Sequence, residues 1–198
     1  MTAVAAIGAG TALLWRSRPG QAAALATGTL LDPRRDLPDF SLTDEHGTRF
    51  TRADLTGHWS MLYFGYTNCP DLCPATLSTL AAMEKRLRDA GDRSRPRVIF
   101  VSVDARRDTP AQLAKYVPYF DPEFLGVTAA TQPAIEAVAR GFGVAVDIHP
   151  EAGGGYSVDH SGALLVIDPA GRLAAILTGP FTAASLEVDF RRIAGGGA

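Results

Sequence analysis

The run RVIFVSVD, Arg97 to Asp104, constrains the fold more than any other stretch of the chain. It is nearly all apolar and β-branched. A strand with one wet face alternates, whereas a parallel strand covered on both faces reads as a continuous apolar run. Helix grammar flanks it. Upstream, ATLSTLAAMEKRLRDAG places Leu77, Leu80, Met83 or Glu84, and Leu87 near helical spacing, with Gly91 as a stop. Downstream, Thr109 is an N-cap candidate with Pro110 at the first helical position.

The rest of the chain repeats that alternation. FSLTDEHGTRFT predicts a hairpin around Asp44 to Gly47, and SMLYFGY, Ser60 to Tyr66, a buried strand. FLGVTA reads as a strand, and TQPAIEAVARGFG as a helix capped by Thr131 and stopped by Gly141. EAGGGYS is a flexible loop. VDHSGALLVIDPAGRLAAILTG reads as two apolar strands around the turn Asp168 to Gly171. TAASLEVDFRRIA closes as a helix with Leu186, Phe190 and Ile193 on one face. This order predicts an α/β fold, with a mostly parallel sheet made mixed by the closing hairpin, flanking helices and an N-terminal β-hairpin.

A length of 198 residues and 46% hydrophobic content suit one domain with a tail, and with a formal charge of −2 nothing basic points to nucleic acid as a partner. MTAVAAIGAGTALLW, Met1 to Trp15, carries no charge, and Arg16 and Arg18 follow it. The run is shorter than the roughly 20 residues of a spanning helix. Its length suits an export-signal core, without the basic leader such a signal has. The arginines lie on the wrong side for an N-in anchor. Residues 1–35 are read as an apolar anchor or export segment plus linker, with an alanine-rich tail as the alternative. Residues 36–198 are read as the folded domain, beginning near Pro38. On this reading residues 1–35 are dispensable for folding.

The only two cysteines, Cys69 and Cys73, stand in YFGYTNCPDLCP. A loop so short restricts the unfolded chain little, so the pair is chemistry rather than a staple. Placed at the end of the first core strand, where the first long helix opens, it makes the thioredoxin-like arrangement. A helix N-terminus lowers a thiol pKa, which predicts two thiolates near neutral pH. Two sulfurs do not fill a tetrahedral zinc site, but two thiolates and an imidazole suit copper in either oxidation state. Among the four histidines, His46 falls in a hairpin turn, His58 in an exposed bend, and His149 beside the mobile loop. His160, in YSVDHSG, follows the third helix and comes within reach of the cysteines in a thioredoxin-like fold. Read alone, its default is a histidine satisfied by a backbone carbonyl. Asp104 ends the core strand and offers a hydrogen bond behind the site. Asp159 points to the face opposite His160, and Asp71 is exposed between the cysteines.

YFGYTNCPDLCP, VSVDARRDTP and VDHSGALLVIDPAGRL together, from about Pro38 to Ile193, resemble the Sco/SenC family of copper proteins. The resemblance implies a thioredoxin-like domain, usually tethered to a membrane, that binds Cu(I) and Cu(II). It implies a metallochaperone that helps build the copper-A site of cytochrome c oxidase subunit II. By motif position the metal ligands are Cys69, Cys73 and His160. Family members often carry histidine where this chain has Asn68.

A second reading, from the enzyme class, is a thiol–disulfide oxidoreductase that reduces the cysteines of a copper apo-protein, with Cys69 and Cys73 as its redox disulfide. A third reading, a peroxiredoxin-like peroxidase, would fit the fold but expects a threonine and an arginine arranged around one peroxidatic cysteine, and YFGYTNCPDLCP does not look like that. Control of thiol state outside the cytoplasm suits a bacterial periplasmic protein tethered by its N-terminus, with other copper chaperones or thiol reductants as further partners.

Overall fold

The computed structural model describes residues 25–151 and 153–195. The apolar run Met1 to Trp15 and its two arginines lie outside them. No helix among the described residues is long and apolar enough to cross a membrane. In chain order the elements are β1 (Gly28–Asp36), β2 (Ser41–Asp44), β3 (Arg49–Thr51), β4 (Ser60–Gly65), α1 (Leu72–Asp89), β5 (Arg97–Ser102) and α2 (Pro110–Tyr116). There follow β6 (Leu125–Thr128), α3 (Gln132–Phe142), β7 (Val146–Pro150), β8 (Tyr156–His160), β9 (Leu164–Ile167), β10 (Arg172–Leu177) and α4 (Ala183–Gly195).

Eight strands form one mixed sheet in the order β1-β10-β9-β4-β5-β6-β2-β3, and β7 and β8 pair apart from it. Only β4–β5 and β5–β6 run parallel. The expectation of a mostly parallel sheet is corrected here. The β9–β10 hairpin lies antiparallel against β4, and β1 and the β2–β3 hairpin add antiparallel edges.

The central strands are buried on both faces, as the apolar runs require. Met61 and Tyr63 of β4 pack with Leu77, Leu80, Met83 and Leu87 of α1 and with Leu186, Phe190 and Ile193 of α4. Leu62 and Phe64 turn to the other face, against Ile135, Ala139 and Phe142 of α3. Burial of each such side chain contributes about 1.5–3 kcal/mol. Thr109 and Thr131 cap α2 and α3 by accepting from Gln112 N (3.2 Å) and Ala134 N (3.4 Å). The stop of α3 is Gly143, at φ +79°, rather than Gly141. Gly141 sits inside the helix because Pro38 leaves no room for a side chain. A Cβ there would lie 2.8 Å from Pro38 Cγ.

Residues 28–36, read as linker, are an edge strand. β1 pairs with β10 from Gly28↔Leu177 to Asp36↔Arg172, with a register shift between Leu30 and Arg35. Pro33 falls in that shift, where no ladder hydrogen bond is required of it. Side chains fasten the strand further. Arg34 pairs with Asp168 (2.8 Å) and lies 5.4 Å from the Trp59 ring centroid, and Arg35 donates to Phe142 O (3.0 Å). Thr27 donates to Asp189 from N and Oγ1.

Candidate metal centre

β4 delivers the chain to the end of the sheet at Gly65. The cysteine loop follows, closed by Cys69 N donating to Tyr66 O (3.2 Å). Pro70 and the cap residue Asp71 lead into α1, whose second residue is Cys73. Cys69 is half-buried and Cys73 fully buried, and both are free thiols. The Cys73 amide points at Cys69 Sγ (3.4 Å), as a helix N-terminus offers its unpaired N–H groups. Gly65 makes room for the second sulfur, since a Cβ on residue 65 would lie 2.9 Å from Cys73 Sγ and 2.7 Å from the Phe100 ring.

His160 closes β8 and comes down on the cysteine pair. Its Nδ1 lies 3.1 Å from Ser161 O, an atom that only accepts, so Nδ1 carries the proton. Nε2 is then left with its lone pair, 3.5 Å from Cys73 Sγ. Burial, foremost, holds the imidazole pKa below its ordinary value, which favours this neutral form. The rings of Tyr66 and Tyr63 meet His160 edge-on at 5.8 and 6.1 Å between centroids.

The Cys73 thiol does not behave as the sequence suggests. Burial, the largest cause, pushes its pKa up to about 12. The Tyr66 amide contact and the Tyr63 hydroxyl, which donates to the sulfur at 3.6 Å, pull the other way and lose. Desolvation of the charged form outweighs the helix terminus, so without a metal Cys73 is a protonated thiol at neutral pH. Tyr63 is buried by the same packing, and its phenol pKa is raised as well.

The three donor atoms, Cys69 Sγ, Cys73 Sγ and His160 Nε2, all lie within 4.8 Å of one another. A three-coordinate ion with bonds of about 2.3 Å, the zinc–sulfur value, spaces its donors about 4 Å apart. The soft donor set of two sulfurs and an imidazole suits copper.

The other sequence candidates lie elsewhere. His149 pairs with Asp159 (3.1 Å), both exposed on the opposite face of the β7–β8 ribbon. His46 is exposed beside Glu45. His58, expected at the surface, has its Nε2 buried without a hydrogen-bond partner, and burial lowers its pKa. Asp71 and Asn68 are exposed on the cysteine loop. Asp104 does not touch the donors; its buried carboxylate pairs with Arg107 and accepts from Tyr156 Oη (2.7 Å). Sequence reasoning missed Tyr63, Tyr66, Arg107 and Asp108. The signal for the last two stood in DARRDT, which carries more charge than a strand-to-helix loop needs.

The SCO1/SenC family model matches residues 30–195. The chain belongs to the SCO1/SenC family. A Stutzerimonas stutzeri protein whose name ascribes copper binding to it is 33% identical over 158 residues, covering 80% of this chain and 76% of that protein. The mouse mitochondrial SCO2 homolog is 37% identical over 134 residues, covering 67% of this chain and 52% of the relative. This SCO1/SenC chain therefore spans about half the length of that mitochondrial protein. Among solved structures, Arabidopsis thaliana ScoI with copper bound superposes with a TM-score of 0.76 at 32% identity, over 81% of this chain and 98% of that one. The fold is the thioredoxin-like one of the SCO1/SenC proteins.

Proposed function

We propose that this chain binds one copper ion through Cys69, Cys73 and His160, and carries it to, or prepares, the copper-A site of cytochrome c oxidase subunit II. The observation that carries the reading is the convergence of the three donor atoms within 4.8 Å from two distant segments. A disulfide enzyme needs only the two sulfurs, whereas here the Nε2 lone pair of His160 is turned toward them. The copper ion named in the description of the Arabidopsis structure supports the same assignment. Binding would draw the proton from Cys73, so copper loading releases protons. The reading includes placement in the bacterial periplasm, tethered to the inner membrane, in which the uncharged run ahead of Arg16 would act as export signal or anchor.

The second reading, reduction of cysteines in a copper apo-protein, is favoured by one observation. Cys69 is the partly exposed sulfur, next to a buried resolving partner. The attacking thiol would be Cys69, because Cys73 is buried and held protonated.

His160→Ala separates the two. Under the copper reading Cu(I) stays bound to two sulfurs more weakly, while Cu(II), which prefers nitrogen and higher coordination, is lost together with its thiolate charge-transfer absorption. Exchange with a small disulfide persists within about tenfold. In copper-limited cells oxidase assembly fails with this variant if delivery is the task, and survives if thiol reduction is. A His160→Ala protein that holds Cu(II) as the parent does removes His160 from the site.

A further inference from the structure

The loop Asp104 to Asp108 grips both halves of the centre. On the cysteine side, buried Asp108 accepts from N (2.9 Å) and Oγ1 (2.6 Å) of Thr67, two residues before Cys69, and from Ser102 Oγ (2.7 Å). On the histidine side, Arg107 pairs with Asp104 and donates from Nη1 to the carbonyl of Tyr156 (3.1 Å). Its guanidinium lies 3.9 Å from the Tyr156 ring centroid and 5.6 Å from that of Tyr66. Tyr156 returns a hydroxyl to Asp104 (2.7 Å).

Tyr156 opens the strand that His160 closes. That strand pairs only with β7, outside the main sheet, and within the two strands only Val158 is buried. A two-stranded ribbon is marginal without packing to hold it. The planar guanidinium supplies a hold that a point charge cannot, because it bonds a carboxylate and a carbonyl while stacking on two rings.

We propose that Arg107, fixed by Asp104, is a positioning residue that pins the β7–β8 ribbon against Tyr66 and so presents His160 to the cysteine pair. The proposal rests on the copper reading for its metal readout and has a second readout without metal. It predicts that Arg107→Ala behaves like His160→Ala. Cu(II) affinity falls about 10–100-fold, the range for residues that orient ligands from behind. The nitrogen hyperfine coupling in the electron paramagnetic resonance spectrum is lost, while Cu(I) binding by the two sulfurs is retained. Arg107→Lys keeps the charge without the fork and follows the alanine variant. In the metal-free protein, hydrogen exchange over residues 156–160 speeds up in both variants.

Parent-like Cu(II) affinity and nitrogen coupling in either variant overturns the assignment. If the parent itself takes no Cu(II), the copper reading fails and the metal-free exchange decides. Unchanged protection over 156–160 then overturns the positioning role, and faster exchange upholds it. Should the alanine variant not fold, Arg107→Gln, with a stem of similar bulk, is read by the same criteria.

Discussion

A methyl group on residue 65 has no space to occupy. It would meet the Cys73 sulfur at 2.9 Å and the Phe100 ring at 2.7 Å, both on fully buried side chains. Gly65→Ala is therefore expected to cost about 1–3 kcal/mol by overpacking, measured by denaturant unfolding of the reduced protein. It should also weaken copper binding, because the displaced atom is one of the proposed ligands. An unchanged unfolding midpoint would contradict the packing at this position. The two sulfurs should differ in solution as well. With Cys73 buried and protonated up to about pH 12, iodoacetamide at pH 8 should modify Cys69 first and Cys73 only on unfolding or opening. Equal alkylation rates, followed by peptide mass spectrometry, would refute this. The sign for stability follows. A raised folded pKa leaves its contribution intact below the unfolded thiol value of about 8.5, and that contribution is lost as pH rises toward 12. The cysteine pair itself was readable because five residues of local sequence, Cys69 to Cys73, define it. The state of Cys73 was not, because it depends on Tyr63, Phe100 and Gly65 closing around the sulfur.

At the scale of elements, the strands and helices with strong internal signals are where the sequence puts them. Caps at Thr109 and Thr131 act within three residues, so they are legible locally. β1 is not. Its nine residues include Pro33, Arg34, Arg35 and Asp36, and they resemble a linker because an edge strand buries little. What fixes it is remote: the ladder to β10 and the contacts to Asp168, Phe142 and Asp189. A chain beginning at Asp36 should consequently melt more than about 5 °C below one beginning at Leu25, more than about 1 kcal/mol for a domain of this size. Equal midpoints by calorimetry would return residues 28–36 to a linker. His160 was likewise beyond local reading. Its strand reaches the cysteines only through the topology: the expected thioredoxin-like fold singled it out, and its part as a ligand came from the resemblance.

Across the whole molecule, the candidate donors sit where β4 ends, and another buried ionisable group sits near the opposite end of the sheet. Glu84 of α1 is buried, with Oε1 unpartnered and Oε2 bonded to Arg95 (3.2 Å). Burial, opposed by Arg95, raises its pKa to about 7. The protonated form is favoured in the fold, so its contribution is present below about pH 4.5 and lost as pH rises through 7. Glu84→Gln should flatten the stability profile over that window relative to the parent, in urea titrations at several pH values. Parallel profiles would show that Glu84 does not titrate there.

The β7–β8 ribbon also makes the imidazole a tethered reagent with an effective concentration at the two sulfurs. A short flexible tether gives millimolar values, and a strand held at both ends gives more. In a His160→Gly protein, the free imidazole needed to restore the Cu(II) signal becomes a ruler of that confinement. Little imidazole would be needed if the ribbon swings freely, and much if it is held as firmly as its contacts imply.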